Sequence, residues 1–245
     1  MMEKNKIYFA SDFHLGSPNQ KESLLREKKI CRWLDSIEND AKAIYLVGDI
    51  FDFWFEYNTA IPKGFERLKG KLAHLTDIGT KIHFFPGNHD LWTFGYLEKE
   101  LGLIIHKQPL ITQLNGKTFY IAHGDGLGRV GLKYRFIKSI FTNQCCQWLF
   151  ARIHPNTGIR LARLWSKKSR KKGEYSDMEK LQTELINYAK GILANKDINY
   201  FIFGHIHSPI EIKLNSSSKY INIGDWITHF SFLEFHEGTL SLKYF

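Results

Sequence analysis

At five points of this chain, metal-ligating side chains stand closer together than any turn requires. Asp12 and His14 are separated by one residue. Asp49 follows Gly48. Asn88, His89 and Asp90 run consecutively after Gly87. His123 precedes Gly124 and Asp125, and His205 and His207 flank Ile206. Carboxylate, imidazole and one amide oxygen make a donor set that suits Mn²⁺ first, with Fe²⁺ or Zn²⁺ also served, rather than Ca²⁺ or a thiolate site. Singly, Asp-x-His and Gly-Asp are weak signals, because both occur in ordinary turns. Gly-His-x-His is stronger, since residues i and i+2 of an extended segment face one way. Asn-His-Asp is stronger again, because turns use Asn and Asp but have no use for an imidazole between them.

Each cluster ends an apolar run. Residues 6–10, the segment "AIYLVGD", "KIHFF" before Pro86, "KTFYIA" before His123 and "INYFIF" before Gly204 read as buried strands. Helical spacing over 21–39, 64–78 and 176–194 places helices between them, and the segments after 218 read as closing strands. The early alternation of strand and helix predicts a parallel or mixed sheet with covering helices. In such sheets the reactive crevice lies beyond the carboxyl ends of the strands, so five ligand-bearing loops are expected to converge there.

The ordered set Asp12-x-His14, Gly48-Asp49, Gly87-Asn88-His89-Asp90, His123 and Gly204-His205-x-His207 resembles the calcineurin-like metallophosphoesterases over residues 7–207. The resemblance implies an α/β fold, a four-layer α/β/β/α sandwich with two divalent metal ions at the sheet ends. By that likeness Asp12, His14, Asp49 and His207 hold one ion. Asp49, Asn88, His123 and His205 hold the other, with a separate Asp49 oxygen for each. The ions would clamp a phosphoryl group and activate water for in-line attack. His89 would face substrate as charge stabiliser or acid, with Asp90 fixing its tautomer, and Asn88 would also border the substrate.

Charge is segregated. The chain carries a formal +9, with 34 Lys and Arg against 25 Asp and Glu. Segment 126–173 contains no acidic residue and twelve basic ones, so the positive excess belongs to this block. Phe136, Phe141, Trp148, Phe150 and Trp165 lie among the cations. A solvated basic face would not carry such side chains; a helical cap for an anionic lipid would. Stacking aromatics also suit nucleic acid, but the aliphatic content makes nucleic acid the weaker partner.

The expectation is therefore a single domain, 1–245, with a basic helical insertion at 126–173. Its substrate would be a nucleotide-linked glycolipid, by likeness to the pyrophosphatase branch of the family. Arg163, Ser166 and Lys167 would meet the sugar-phosphate, and the insertion would seat on an anionic membrane surface. Familiar members of that branch have Arg where this chain has His89. Cleavage of another phosphoester, by a phosphodiesterase, phosphatase or nuclease, is the second reading; a non-catalytic membrane-binding scaffold is the third. The N-terminus lacks a secretory apolar segment and the three cysteines form no framework, which predicts a cytoplasmic protein on the inner membrane face.

Overall fold

The computed structural model describes residues 4–129, 131–173 and 178–245, without the side chains at 163 and 167–173. Along the chain come β1 (Lys6–Ala10), α1 (Gln20–Ile37), β2 (Ala41–Val47), α2 (Glu66–Asp77) and β3 (Lys81–Phe85). They are followed by α3 (Tyr96–Leu101), β4 (Ile104–Ile105), β5 (Leu110–Leu114) and β6 (Lys117–Ile121). Four helices then run in succession: α4 (Leu132–Thr142), α5 (Gln144–Ala151), α6 (Pro155–Gly173) and α7 (Met178–Leu193). The chain closes with β7 (Tyr200–Phe203), β8 (Ile210–Lys213), β9 (Lys219–Asn222), β10 (Ser231–His236) and β11 (Thr239–Tyr244).

The strands form two sheets, in the orders β11-β10-β1-β2-β3-β4 and β5-β6-β7-β9-β8. β1 to β4 are mutually parallel, as are β6, β7 and β9. Strands buried on both faces need side chains for two cores, and alternation supplies them. Tyr8, Ala10, Ile44, Leu46, Ile82 and Phe84 point toward α1 and α2, where they meet Ile30, Trp33, Leu34, Leu68 and Leu72. Their neighbours Ile7, Phe9, Tyr45, Val47 and Phe85 point the other way and meet Phe119, Ile121, Ile202 and Ile221 of the second sheet. The outer face of that sheet, Tyr120, Phe201 and Phe203, packs on Leu185 and Ala189 of α7. The layers are thus helix, sheet, sheet and helix.

At the edge of the inter-sheet core His83 stacks on Tyr45 at 4.3 Å between ring centroids. Its Nδ1 lies 2.8 Å from Nε2 of His106, so a hydrogen shared between two neutral rings fits and a second proton does not. Burial, with His106 beside it, pushes the His83 imidazole down to about 4. The folded state then binds fewer protons than the unfolded chain below the ordinary histidine value of about 6.5, so this pair withdraws stability as pH falls from there toward 4. His83→Phe keeps the stack and should flatten that loss: thermal midpoints at pH 7 and pH 5 should lie closer together than in the parent chain.

Candidate dinuclear metal centre

All the candidate ligands follow parallel strands and emerge at one end of the sandwich. β1 delivers Asp12 and His14, β2 delivers Asp49, and β3 delivers Asn88, all from the first sheet. β6 delivers His123, and β7 delivers His205 and His207, from the second. Three groups result: Asp12, His14 and His207; Asp49, His123 and His205; and His14, Asp49 and His89. Within each, ligand atoms lie within 4.8 Å of one another.

Backbone conformation marks the same residues. Nine described non-glycine residues have positive φ, and five of them are Asp12, His14, Asp49, His205 and His207. Such a backbone is disfavoured for side-chain-bearing residues and persists where its surroundings impose it, characteristically at functional sites. Two glycines provide room. A Cβ on Gly87 would collide with the Asp49 carboxylate, and one on Gly204 would come within 2.6 Å of Asp12 Oδ2.

Asp12 Oδ1 is 3.2 Å from His207 Nε2, and the Nε2 atoms of His14 and His207 face each other at 3.1 Å. A hydrogen on one ring donated to the other, or a cation between the two, fits that distance. Asp49 Oδ1 accepts the His89 N–H, while Oδ2 lies 3.6 Å from His14 Nε2 and 3.3 Å from His123 Nε2. One oxygen, not two, therefore faces both groups, because the backbone has claimed the other. His123 donates Nδ1–H to the Val47 carbonyl at 2.9 Å, which leaves Nε2 as the atom that faces Asp49. Asp12 Oδ1, Asn88 Oδ1 and His123 Nε2 are buried and make no hydrogen bond. Orphaned buried polar atoms are costly, and Asp12 Oδ1 and His123 Nε2 come from different sheets to the clustered carboxylates and imidazoles, where divalent ions would satisfy them.

The electrostatics favour added positive charge. Burial alone would raise the Asp12 carboxyl, but His207 and His14 outweigh it and hold it below the usual carboxylate range. Burial opposes charge on His123, yet Asp49 holds its imidazole well above the ordinary value. His205, buried beside His123, is pushed down to about 4 and stays a neutral donor.

Asp90 departs from expectation. Its carboxylate accepts the N–H groups of Gly87 (2.7 Å), Ile50 (2.7 Å), Phe51 (3.2 Å) and Asp49 (3.3 Å). It clamps the loop after β2 to the loop after β3 and makes no bond to the His89 ring. A carboxylate with four converging amides has no oxygen left for an imidazole. The His89 ring instead donates Nδ1–H to the Asp52 carbonyl at 3.0 Å, with Ser166 Oγ 3.1 Å away. Burial pushes its imidazole down to about 4, against the pull of Asp49.

Helices α4, α5 and α6 stand over the centre. Beneath them is a cavity of about 360 Å³, walled by Phe53, Trp92, Phe141, Phe150, Leu161 and Trp165 and ending on Asn88, His89 and Asp125. Ser166, a sequence candidate on α6, is buried against His89. The side chains of Arg163 and Lys167 lie outside the described residues. Sequence reasoning missed Trp92, whose indole donates to the Phe141 carbonyl at 2.7 Å, and Lys138, whose ammonium meets Asp125 Oδ2 at 2.6 Å. It also missed Arg26 of α1, which holds the Phe13 and His14 carbonyls at 3.0 and 2.9 Å. Nothing in the local pattern of a helix reports a bond to a loop elsewhere.

A family model described as calcineurin-like phosphoesterase matches residues 5–209. A protein of Porphyromonas gingivalis named UDP-2,3-diacylglucosamine hydrolase is 40% identical over 255 residues, covering 98% of this chain and 97% of that protein. Proteins of the same name from a Shewanella species and from Aliivibrio fischeri are 28% and 27% identical, again over nearly their whole lengths.

His123→Ala should lower bound metal, measured by elemental analysis, by about one ion per chain, with loss of most turnover. Asp90→Asn presents an amide N–H to the clamped backbone donors and should lower both metal retention and thermal stability. Intact metal content with only a shifted pH profile would instead return Asp90 to the imidazole-orienting role expected from sequence.

Proposed function

This chain belongs to the calcineurin-like phosphoesterase family, and from that premise we propose that it hydrolyses the pyrophosphate bond of UDP-2,3-diacylglucosamine. The products are UMP and 2,3-diacylglucosamine 1-phosphate, a step of lipid A biosynthesis. The chain is a metal-dependent hydrolase. The observation that carries the substrate is the apolar cavity under α4–α6, which ends on the polar loop of Asn88 and His89. A lipid with a phosphorylated head suits that sequence of surfaces better than a nucleic acid, which would stack bases on open rings along a basic groove.

Asp12, His14, Asp49 and His207 hold one divalent ion in this reading, and Asp49, Asn88, His123 and His205 hold the second, Mn²⁺ being the best match to the donors. Bound there, the pair neutralises phosphoryl charge and makes the attacking water more acidic. The protein's part is to position. Asp90 fixes the separation of the Asp49 and Asn88 loops. His89 reaches the site neutral, its Nδ1–H engaged by the Asp52 carbonyl, so Nε2 is the atom left for substrate. A phosphate anion beside that ring favours its protonation, and Nε2–H then donates to a phosphoryl or leaving oxygen. Ser166 keeps the ring in that orientation from the cap side. Aromatic walls exclude water from the acyl chains and leave the anhydride at the polar mouth.

Membrane seating follows from the cap's outer face. Leu132 is 82% exposed, Phe136 66%, Leu149 59% and Trp148 57%, interleaved with the exposed cations Lys133 and Arg152. Apolar side chains ringed by Lys and Arg match an anionic bilayer. No helix among the described residues is long and apolar enough to cross one.

Mn²⁺-supplemented protein should release UMP from UDP-2,3-diacylglucosamine. His89→Ala should lower kcat by about 10²-fold or more with metal content intact, and His89→Arg should restore a substantial part. Cleavage of bis(p-nitrophenyl) phosphate without UMP release would move the reading to another phosphoester. Leu132→Glu combined with Phe136→Glu should weaken sedimentation with phosphatidylglycerol vesicles by about tenfold; unchanged sedimentation would refute the seating.

A further inference from the structure

A pyrophosphate that joins a lipid to a nucleotide has two arms, and the apolar cavity accommodates one. The other carries a phosphate, ribose hydroxyls and a base edged with carbonyls, and it needs cations and hydrogen-bond donors. Such a place exists on the opposite side of α4. A second cavity, of about 590 Å³, is lined by Gly126, Gly128, Arg129, Tyr134, Arg135, Lys138 and Ser139. Tyr134 and Lys138 border both cavities, so α4 is the wall between them.

That wall is tied to the metal-bearing loop. Tyr134 Oη and Lys138 Nζ donate to Asp125 Oδ2 at 3.0 and 2.6 Å, and Asp125 is two residues past His123. Asp125 itself lines the apolar cavity, and the groove starts at the next residue, Gly126, on the other side of Tyr134 and Lys138. Arg129 and Arg135 have no ion-pair partner among the described residues, and both are exposed. Guanidinium forks suit phosphate oxygens and base carbonyls. Beyond Arg129 the groove runs into a smaller recess of about 410 Å³ bordered by Glu184 and Asn187 of α7. A carboxylate and an amide there suit ribose hydroxyls and a base edge. Gly128 keeps the passage low: a Cβ on it would stand 3.0 Å from the Glu184 carbonyl, and its φ of +75° already disfavours a side chain.

We propose that this groove between α4, the 126–129 loop and α7 is the subsite for the nucleoside monophosphate arm of the substrate. The proposal rests on the pyrophosphatase reading above and adds where the departing nucleotide sits. The anhydride then lies across the end of α4, acyl chains on one side and nucleotide on the other, with the scissile bond over the two carboxylates.

The test is calorimetric titration of metal-loaded protein with UMP, using an R129A/R135A variant checked for fold by circular dichroism and for metal by elemental analysis. UMP affinity should fall by about tenfold or more, with KM for UDP-2,3-diacylglucosamine rising more than kcat falls. R129K/R135K, which keeps charge but loses the fork, should bind with intermediate affinity. A folded, metal-loaded R129A/R135A protein that binds UMP within about twofold of the parent overturns the proposal. Loss of phosphatidylglycerol-vesicle binding with UMP affinity unchanged also overturns it, and assigns the two arginines to lipid headgroups. If the parent hydrolyses other phosphoesters but releases no UMP, the substrate reading fails, while the UMP titration still decides the groove independently.

Discussion

The centre exists because the carboxyl ends of two sheets are locked in register. The His123 ring after β6 donates to the Val47 carbonyl that ends β2, and Asp12 after β1 accepts the N–H of His205 after β7 at 3.0 Å. Each bond runs from one sheet to the other and involves a side chain that also faces the metal space. Slippage of one sheet over the other would separate the ligand sets and leave buried carboxylates and imidazoles without partners, which is far costlier than a surface rearrangement. The packed apolar layer between the sheets resists that slippage from below. Phe9 stacks between Tyr45 and Phe119 at 4.9 and 5.7 Å, so one ring joins both sheets directly under the site.

Above that lock the local geometry is strained and the electrostatics unbalanced, and the two are related. Residues in positive-φ conformations turn their side chains back over the strand ends, so that ligands from adjacent strands meet rather than diverge. The meeting brings carboxylates and imidazoles together without enough charge to satisfy both. The proton that Asp49 favours on His123 makes up part of the deficit, and a cation beside that carboxylate would replace it. Metal binding and proton release are consequently linked at this centre.

The cap solves a separate problem. A hydrolase for an amphipathic substrate must desolvate a lipid while it leaves phosphate in contact with charge. Charge and apolarity in one insertion suit this, because Phe141, Phe150 and Leu161 line the cavity over the Asn88 loop while Lys133, Arg135 and Arg152 are exposed. Attachment to the body combines ring packing of Phe150 on Phe53, Phe55 and Trp92 with polar contacts: Trp92 to the Phe141 carbonyl, and Lys138 and Tyr134 to Asp125. Those contacts join the cap to the loops after β3 and β6, so the apolar cavity and the ligand-bearing loops are tied together.

The side chains that gather at the strand ends were legible in the sequence because metal coordination would demand particular atoms whatever surrounds them, and the strands before them because a doubly buried strand must be apolar throughout. The basic insertion was legible because charge segregation survives any fold. What Asp90 does was not. As one of three consecutive polar residues it reads as His89's partner, and only tertiary structure shows four amides from two loops converging on it. The same holds for the single Asp49 oxygen that faces both ligand groups, since which oxygen is free depends on a backbone N–H forty residues away. Lys138 and Tyr134 are equally silent in sequence; their meaning lies in Asp125, which they reach across a loop. Composition and spacing determine which atoms are available. Which of them face one another is decided by long-range packing, because hydrogen bonds between distant segments leave no periodic trace in either segment.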